Sequence, residues 1–154
     1  MDQQEFQSLM MPVMKTIAAS AVDQKLATVL NETYPPDGEV FKGIKQACHA
    51  AIEAGWMCSQ GPDGMKFGRV IDPGPETHDL SVDVVQLREV VGPHHSHPTG
   101  EVCMTMPMTP DAKFDGQGAG WCVNDPGSAH SPTVTDGEAL ALYLLPEGKI
   151  VFTR

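Results

Sequence analysis

Three histidines and a glutamate lie within residues 92–101, and their types and spacing suit the binding of a metal ion. His95, His97 and Glu101 form the pattern HxHxxxE. If both histidines lie on a strand, their side chains leave the same face, because strands repeat every two residues. Residues 98–100, Pro-Thr-Gly, predict a tight turn that returns Glu101 towards the two imidazoles. Two imidazole nitrogens and one carboxylate oxygen favour one divalent ion, with Zn, Fe, Mn, Ni and Co all open.

A fourth ligand is predicted further along the chain, at His130. It follows a Pro-Gly turn at residues 126–127 and is placed to begin another strand that faces the same cavity. His94 adjoins His95 and should face away from it on a regular strand. A metal ion held in this way would act as a Lewis acid and would lower the pKa of a bound water.

The composition limits the partners and the location that we expect for the chain. A length of 154 residues suits one domain with a core of ordinary size. The formal net charge of -10 argues against nucleic acids and anionic membrane surfaces as partners. The four cysteines form no CxxC pair, the first residues are acidic and polar rather than a signal peptide, and no apolar run is long enough to span a bilayer. We therefore expect a cytoplasmic protein with reduced thiols.

The first third of the chain has the periodicity of helices. Apolar residues recur at helical spacing over residues 6–17, although Pro12 should kink or interrupt the helix that they form. Asp23 is placed to cap a second helix. A third helix is predicted over residues 39–54, with Gly55 placed to end it.

The remainder of the chain reads as short strands separated by turns that contain glycine or proline. One hairpin is predicted between residues 56–59 and 65–71, and a last hairpin turns at residues 146–149. Roughly eight short strands without intervening helices favour a sandwich or barrel. We expect a single domain over residues 1–154, in which helical residues 1–55 pack on the outside of a β-barrel formed by residues 56–154.

The metal-binding pattern resembles a known superfamily. HxHxxxE at residues 95–101, followed by Pro-Gly-x-x-His at residues 126–130, resembles the two motifs of the cupins. The fuller string is similar to the cupin domain of zinc-binding anti-sigma factors. This resemblance implies a mainly β fold, the double-stranded β-helix or jelly-roll barrel, with the metal inside. The chain departs from the motifs at Glu89 and Asp125, where cupins usually have glycine and proline, respectively.

Taken whole, with its helical N-terminus, the chain resembles the 4-hydroxylaminobenzoate lyase family of bacterial nitroaromatic degradation. That resemblance implies a metal-dependent lyase that converts 4-hydroxylaminobenzoate to 3,4-dihydroxybenzoate, or protocatechuate, and releases ammonia. The implied reaction has no net redox change, because an N–O bond breaks, a water oxygen appears on the neighbouring ring carbon and an imine hydrolyses. Cupins are often dimers, so the resemblance leaves a homodimer open.

The implied chemistry needs further side chains around the metal. A positioned acid or base should assist the proton transfers, and the candidates are His94, Glu89 and His78. Arg88 and Arg69 are the predicted partners of the substrate carboxylate, because arginine offers a bidentate fork, and Lys66 is a further cation nearby. The aromatic candidates for walls around the substrate ring are Trp121, Tyr143, Trp56 and Phe67, although such residues are more often plain core.

Two other functions fit the same motifs. An iron ion with open positions would allow a metal-dependent dioxygenase that acts on a small aromatic or diketone substrate. A regulatory metal-binding module of the anti-sigma type is the third alternative. Those proteins carry an N-terminal HxxxCxxC zinc site, and no such spacing exists before Trp56.

Overall fold

The computed structural model describes residues 1–153 as three α-helices followed by ten short strands, with a short 3₁₀-helix (Pro75–Thr77) between the first two strands. The helices are α1 (Gln3–Ala18), α2 (Gln24–Thr33) and α3 (Glu39–Ala54). The strands are β1 (Met65–Ile71), β2 (Leu80–Arg88), β3 (His95–His97), β4 (Glu101–Pro107), β5 (Lys113–Phe114), β6 (Gly120–Asn124), β7 (Ser128–His130), β8 (Val134–Thr135), β9 (Glu138–Pro146) and β10 (Val151–Phe152). None of the helices within residues 1–153 is both long and apolar enough to cross a membrane.

Local signals in the sequence explain where the helices begin and end. The Asp23 carboxylate caps α2 by accepting hydrogen bonds from the first backbone amides of the helix. α3 spans the predicted residues and ends at Gly55, whose φ of 92° is left-handed and favours glycine. The interruption expected at Pro12 does not occur, since α1 continues through it. Buried residues on both sides of this proline pack into one core, which holds the helix together across the missing hydrogen bond.

The helices cover one face of a five-stranded antiparallel sheet with the order β1-β2-β9-β4-β6. Alternation along β4 sends Val102, Met104 and Met106 into a core shared with the helices. The same alternation sends Glu101 and Cys103 to the opposite face, which lines the interior of the barrel. Whether a residue has an odd or an even number along β4 therefore decides whether its side chain can reach a central site.

A three-stranded sheet with the order β10-β3-β7 carries the predicted histidine ligands, of which His97 and His130 contact Glu101 across the interior. β5 and β8 form a separate two-stranded ribbon. These sheets and the helices packed on them confirm the predicted fold class, a mainly β cupin-type jelly-roll barrel with an N-terminal helical segment.

The two predicted hairpins form only in part. The turn at residues 61–64 is present, since Gln60 and Phe67 exchange backbone hydrogen bonds of 3.1 and 3.0 Å across it. Residues 56–59 form no strand, because Trp56 packs edge-on against Phe6 and the residues that follow enter the core under the helices. β1 pairs with β2 instead. At the other end of the chain, the predicted turn forms, and the Lys149 amide donates to the Pro146 carbonyl at 3.3 Å, but β10 beyond it pairs with β3 rather than β9.

Candidate metal centre and the adjoining cavity

The pairing of β3 with β7 and the turn before β4 bring the four predicted ligands together. His95 lies directly opposite His130 in the two-strand register. His97 comes two residues later and shares the inner face with His95. The predicted turn forms, because the Gly100 amide donates to the His97 carbonyl at 3.1 Å and Gly100 has a left-handed φ of 87°. Glu101 then begins β4 on the interior side.

The four side chains form a compact cluster. One potential ligand atom from each residue lies within 4.8 Å of all the others. The Nε2 atoms of His95 and His130 are 3.1 Å apart, and His97 Nε2 lies 3.4 Å from Glu101 Oε2. The His97 and Glu101 side chains are fully buried, whereas the His130 side chain is 19% exposed. The cluster is therefore closed behind Glu101 and accessible beside His130.

Hydrogen bonds behind two of the rings set the direction of their lone pairs. His95 Nδ1 donates to the Pro93 carbonyl at 3.1 Å, and His130 Nδ1 donates to the Asp115 carboxylate at 2.8 Å. Carbonyl and carboxylate oxygens can only accept, so the lone pair of each neutral ring is on Nε2. Both Nε2 atoms face the interior, and their lone pairs converge there.

The surroundings of the cluster change the proton affinity of its members. Burial lowers the pKa of His97 to about 3 and also lowers the pKa of His95. Burial raises the pKa of the Glu101 carboxyl to about 7. For His130, burial opposes the charged form, but the hydrogen bond to Asp115 and the negative charge of Glu101 raise its pKa. Around neutral pH, two of the three rings are therefore unprotonated, as metal binding requires.

The donor set fits a divalent metal ion. His97 Nε2 and Glu101 Oε2 are buried and have no hydrogen-bond partner among residues 1–153. The Asn124 amide donates to the other carboxylate oxygen at 2.7 Å and leaves Oε2 free to bind. Converging lone pairs repel one another, and a cation between them removes the repulsion and satisfies the buried atoms. Three imidazole nitrogens and one carboxylate oxygen could thus hold a divalent ion with positions left for other ligands.

The affinity for a metal ion should depend on pH, because protons and metal compete for the same atoms. Glu101, with its pKa raised to about 7, binds metal only after losing its proton. We expect the apparent zinc affinity to be level well above neutrality and to fall by at least tenfold per pH unit below about pH 7, because Glu101 and His130, whose pKa is also raised, both compete for protons. Titration against a chromophoric chelator at several pH values measures this slope. An affinity that does not change from neutral to mildly acidic pH would contradict a ligand role for Glu101.

A cavity of about 320 Å³ opens beside the cluster. His95 forms part of its wall, so the cavity reaches one of the potential metal ligands. Its apolar walls include Met65, Phe67, Val85, Leu87, Ile150 and Phe152. A concave apolar space with a few polar groups suits a small aromatic molecule.

Of the two arginines predicted to bind substrate, the structure brings Arg69 to the cavity and leaves Arg88 outside it. Arg69 lies opposite Asp83, and its Nε donates to that carboxylate at 2.8 Å, while Nη2 donates to the Gly148 carbonyl at 3.1 Å. No hydrogen bond within residues 1–153 uses Arg69 Nη1. Arg88 points to the other face of β2, is 48% exposed and pairs with Asp63 at 2.8 Å. Alternation along β2 explains its exclusion.

Of the two main aromatic candidates, the structure brings Tyr143 to the cavity and Trp121 to the opposite side of the sheet. The Tyr143 ring lies 6.4 Å from the His95 ring, measured between centroids. The Trp121 ring packs on Phe41 of α3 at 6.0 Å, and the adjacent Cys122 takes the inner position. The role at the substrate ring expected for Trp121 is therefore corrected to one in the core between helices and sheet.

None of the three predicted acid–base residues lines this cavity in the described part of the chain. His94 is exposed and forms a hydrogen bond with Thr153. His78 and Glu89 are exposed on turns with left-handed φ values of 55° and 41°. Their positions give no support to a direct role in proton transfer at the cluster.

Sequence reasoning missed two residues that hold the potential ligands in place. Asn124 orients the Glu101 carboxylate and lies directly opposite it in the β4–β6 register. Along β6, the apolar residues Trp121 and Val123 face the helices, so Asn124 must face the interior. This alternation is a signal that could have identified it. Asp115 holds the His130 ring from a turn after β5, and it has no comparable signal because only the fold brings the two together.

Comparisons with known proteins add a family and several relatives. Residues 8–152 match the family model described as PnbB, 4-hydroxylaminobenzoate lyase. A 4-hydroxylaminobenzoate lyase of Pseudomonas putida is 34% identical over 140 residues, with 80% of each chain covered. One from Nocardioides sp. strain LMS-CY is 29% identical, with 92% of this chain and 89% of the relative covered. Among solved structures, the DMSP lyase DddQ from Ruegeria pomeroyi DSS-3 has a TM-score of 0.49 at 19% identity, covering 87% of this chain and 79% of its own.

Proposed function

The chain belongs to the 4-hydroxylaminobenzoate lyase family, and on that basis we propose that it converts 4-hydroxylaminobenzoate to 3,4-dihydroxybenzoate and ammonia in a metal-dependent step of nitrobenzoate degradation. The observation that carries this proposal is the convergence of three imidazole nitrogens and one carboxylate oxygen beside an apolar cavity. The family match supports a lyase over a dioxygenase or a regulatory metal-binding module.

The proposed metal centre is a single divalent ion. Its proposed ligands are His95, His97, Glu101 and His130. When bound, such an ion supplies a Lewis acid for the hydroxylamino oxygen and lowers the pKa of a bound water. Pro93 and Asp115 hold two of the rings with Nε2 directed inward, and Asn124 holds the carboxylate. This support sets the ligand directions before the ion arrives, so little reorganisation accompanies binding.

The cavity suggests how the substrate would be held. We propose that its ring lies against the apolar walls, its carboxylate faces Arg69 and its hydroxylamino group faces the side of His95. Arg69 keeps its charge at any ordinary pH, and Nη1 offers donors that the pair with Asp83 does not use. A fixed cation of this kind would let a chain with a net charge of -10 bind an anionic substrate.

The proposed reaction moves electrons only within the substrate and water. The N–O bond breaks and its electron pair leaves on oxygen as hydroxide. The oxygen of one water adds to the neighbouring ring carbon, and a second water hydrolyses the resulting imine to release ammonia. The apolar cavity would restrict bulk water around the ring during these steps, which favours the ordered addition of a positioned water.

We also propose a cytoplasmic location. All four cysteines are free, and three of them are buried. Free thiols persist most readily in a reducing compartment.

The direct test is an assay with protein purified without a metal-chelating tag and then stripped by a chelator. The stripped protein should release no ammonia from 4-hydroxylaminobenzoate, and restoring one divalent ion per chain should yield ammonia and 3,4-dihydroxybenzoate in equal amounts. Full activity of the stripped protein would overturn the metal dependence. A metal-loaded protein that forms neither product would overturn the substrate assignment.

Neutralising Arg69 should weaken substrate binding more than it slows the chemical step. In Arg69→Gln, the loss of the cation leaves Asp83 facing the anionic substrate across the cavity. We expect KM to rise roughly ten- to hundredfold, in keeping with a lost hydrogen bond to a charged group, with a smaller change in kcat. Arg88→Gln is the matched control, since Arg88 lies outside the cavity. Equal KM values for the two variants would contradict the assignment of Arg69.

A further inference from the structure

The hydroxyl of Tyr143 is a buried polar group that forms no hydrogen bond with the described residues. The residue is 3% exposed, and its hydroxyl has no hydrogen-bond partner among residues 1–153. An unpaired buried hydroxyl is destabilising, so such a group in a native structure calls for an explanation. Tyr143 also lines the cavity beside the potential metal centre, which points to a ligand as the missing partner.

Tyr143 lies between the cation and the metal centre. In the sheet it is the register partner of Asp83, whose carboxylate holds Arg69. On its other side, the Tyr143 ring lies 6.4 Å from the His95 ring and 6.1 Å from the Phe114 ring. Arg69, Asp83 and Tyr143 are successive register partners on three adjacent strands, so their side chains leave the same face of the sheet, on which the cavity lies.

We propose that Tyr143 is a catalytic residue whose hydroxyl donates a hydrogen bond to the oxygen of the substrate's hydroxylamino group. This inference rests on the proposed function of the site. Burial raises the pKa of Tyr143 well above its usual range, and the negative charge of Glu101 adds to the shift. The hydroxyl is therefore protonated at neutral pH and acts as a donor, so the group that accepts from it must be an electron-rich atom.

The hydrogen bond has its largest effect when the N–O bond breaks. The electron pair of that bond leaves on the oxygen that Tyr143 faces, and a donor aimed at developing negative charge stabilises the transition state. Tyr143 keeps its own proton throughout. The departing hydroxide combines with the proton released by the water that adds to the ring, so the step balances without an oxidant or reductant.

A binding cycle tests the hydrogen bond without any need for turnover. The two ligands are 4-(hydroxymethyl)benzoate, which replaces the N–H of the substrate with CH₂ and has no N–O bond, and 4-methylbenzoate, which also lacks the oxygen. Calorimetric titration of metal-loaded wild type and Tyr143→Phe should show about a tenfold loss of affinity for the hydroxymethyl ligand alone. Equal losses for both ligands, or no loss for either, would overturn the proposal.

Turnover and stability give independent readouts. In Tyr143→Phe we expect kcat to fall by about 100- to 1,000-fold and KM to rise by about tenfold, as for the hydroxymethyl ligand, with no change in metal content. Its thermal midpoint should be unchanged or higher, because the deleted hydroxyl had no protein partner. Tyr34→Phe is the matched control with the opposite pattern, since its hydroxyl donates to the Pro12 carbonyl at 3.1 Å on the helical side. It should lower the thermal midpoint and leave kcat unchanged.

The outcomes separate this inference from the proposed function. An unchanged kcat in metal-loaded Tyr143→Phe would overturn the catalytic role. A wild-type protein that does not turn over 4-hydroxylaminobenzoate, but shows the oxygen-specific loss in the binding cycle, would support the hydrogen bond and overturn the proposed reaction.

Discussion

Replacing His97 with alanine should remove nearly all bound metal and reduce ammonia release to the background rate. His97 is completely buried, its Nε2 lies 3.4 Å from Glu101 Oε2, and burial keeps its ring unprotonated. No other side chain within residues 1–153 is placed to substitute for it, since the cluster contains only the four potential ligands. Elemental analysis of protein purified without a chelating tag measures the loss, and near-UV circular dichroism checks that the variant folds.

Two further variants define what the His97 result means. Ser96→Ala is the matched control, because Ser96 lies between the two histidines on β3 and its side chain leaves the opposite face. It should retain one metal ion per chain. Glu101→Gln removes the charge with little change in size and should lose metal and turnover as His97→Ala does. A folded His97→Ala protein that still holds one metal ion per chain would exclude the proposed ligand set.

The centre of the candidate site could be predicted because its geometry is mostly local. His95 and His97 need only the two-residue repeat of a strand, and the turn at Gly100 needs only the residues that favour tight turns. His130 is distant in sequence, but it also follows a local turn signal, and the pairing of β7 with β3 alone brings it to the other ligands. A short strand and two turns thus determine most of the cluster.

The walls of the cavity could not be predicted in the same way, because they depend on which face of each strand turns inward. Trp121 and Cys122 are neighbours in the chain, yet one enters the helical core and the other the barrel. Arg88 and Arg69 look equivalent as cations, and only the register of β1 with β2 places Arg69 beside Asp83 in the cavity. Such registers follow from long-range packing that an isolated stretch of sequence does not contain.

The same limit explains the errors at the strand ends. Residues 56–59 have the composition of a strand, but Trp56 packs against Phe6, and Met57 and Cys58 are buried in the core shared with the helices. Val151 and Phe152 follow a turn that should form a hairpin, yet they pair with β3 and so cover the strand that carries His95. Contacts with parts of the chain that are distant in sequence therefore decide the pairing at both places.

We expect the protein to release ammonia from 4-hydroxylaminobenzoate in the complete absence of oxygen, reductant and organic cofactor. The chain has neither a GxGxxG dinucleotide fingerprint nor a P-loop, so we expect the proposed metal centre to be the catalytic group. A Lewis acid suffices for N–O heterolysis and water addition, because electrons move only within the substrate. Anaerobic and aerobic rates of ammonia release should therefore be equal, and an oxygen electrode should register no uptake.

Isotopically labelled water identifies the source of the two ring hydroxyls of the product. In a reaction under labelled water, the 3,4-dihydroxybenzoate formed should carry label at both ring hydroxyls, one from the water that adds to the ring and one from imine hydrolysis, whereas labelled dioxygen should contribute none. The metal-free protein under the same conditions is the control for spontaneous hydrolysis of the hydroxylamine. An absolute requirement for dioxygen, or label that arrives from it, would contradict the lyase mechanism and favour the dioxygenase, since only an oxygenase incorporates a ring oxygen from O₂. Because water is the only oxygen donor in the proposed sequence of steps, this single measurement decides between the two reaction classes.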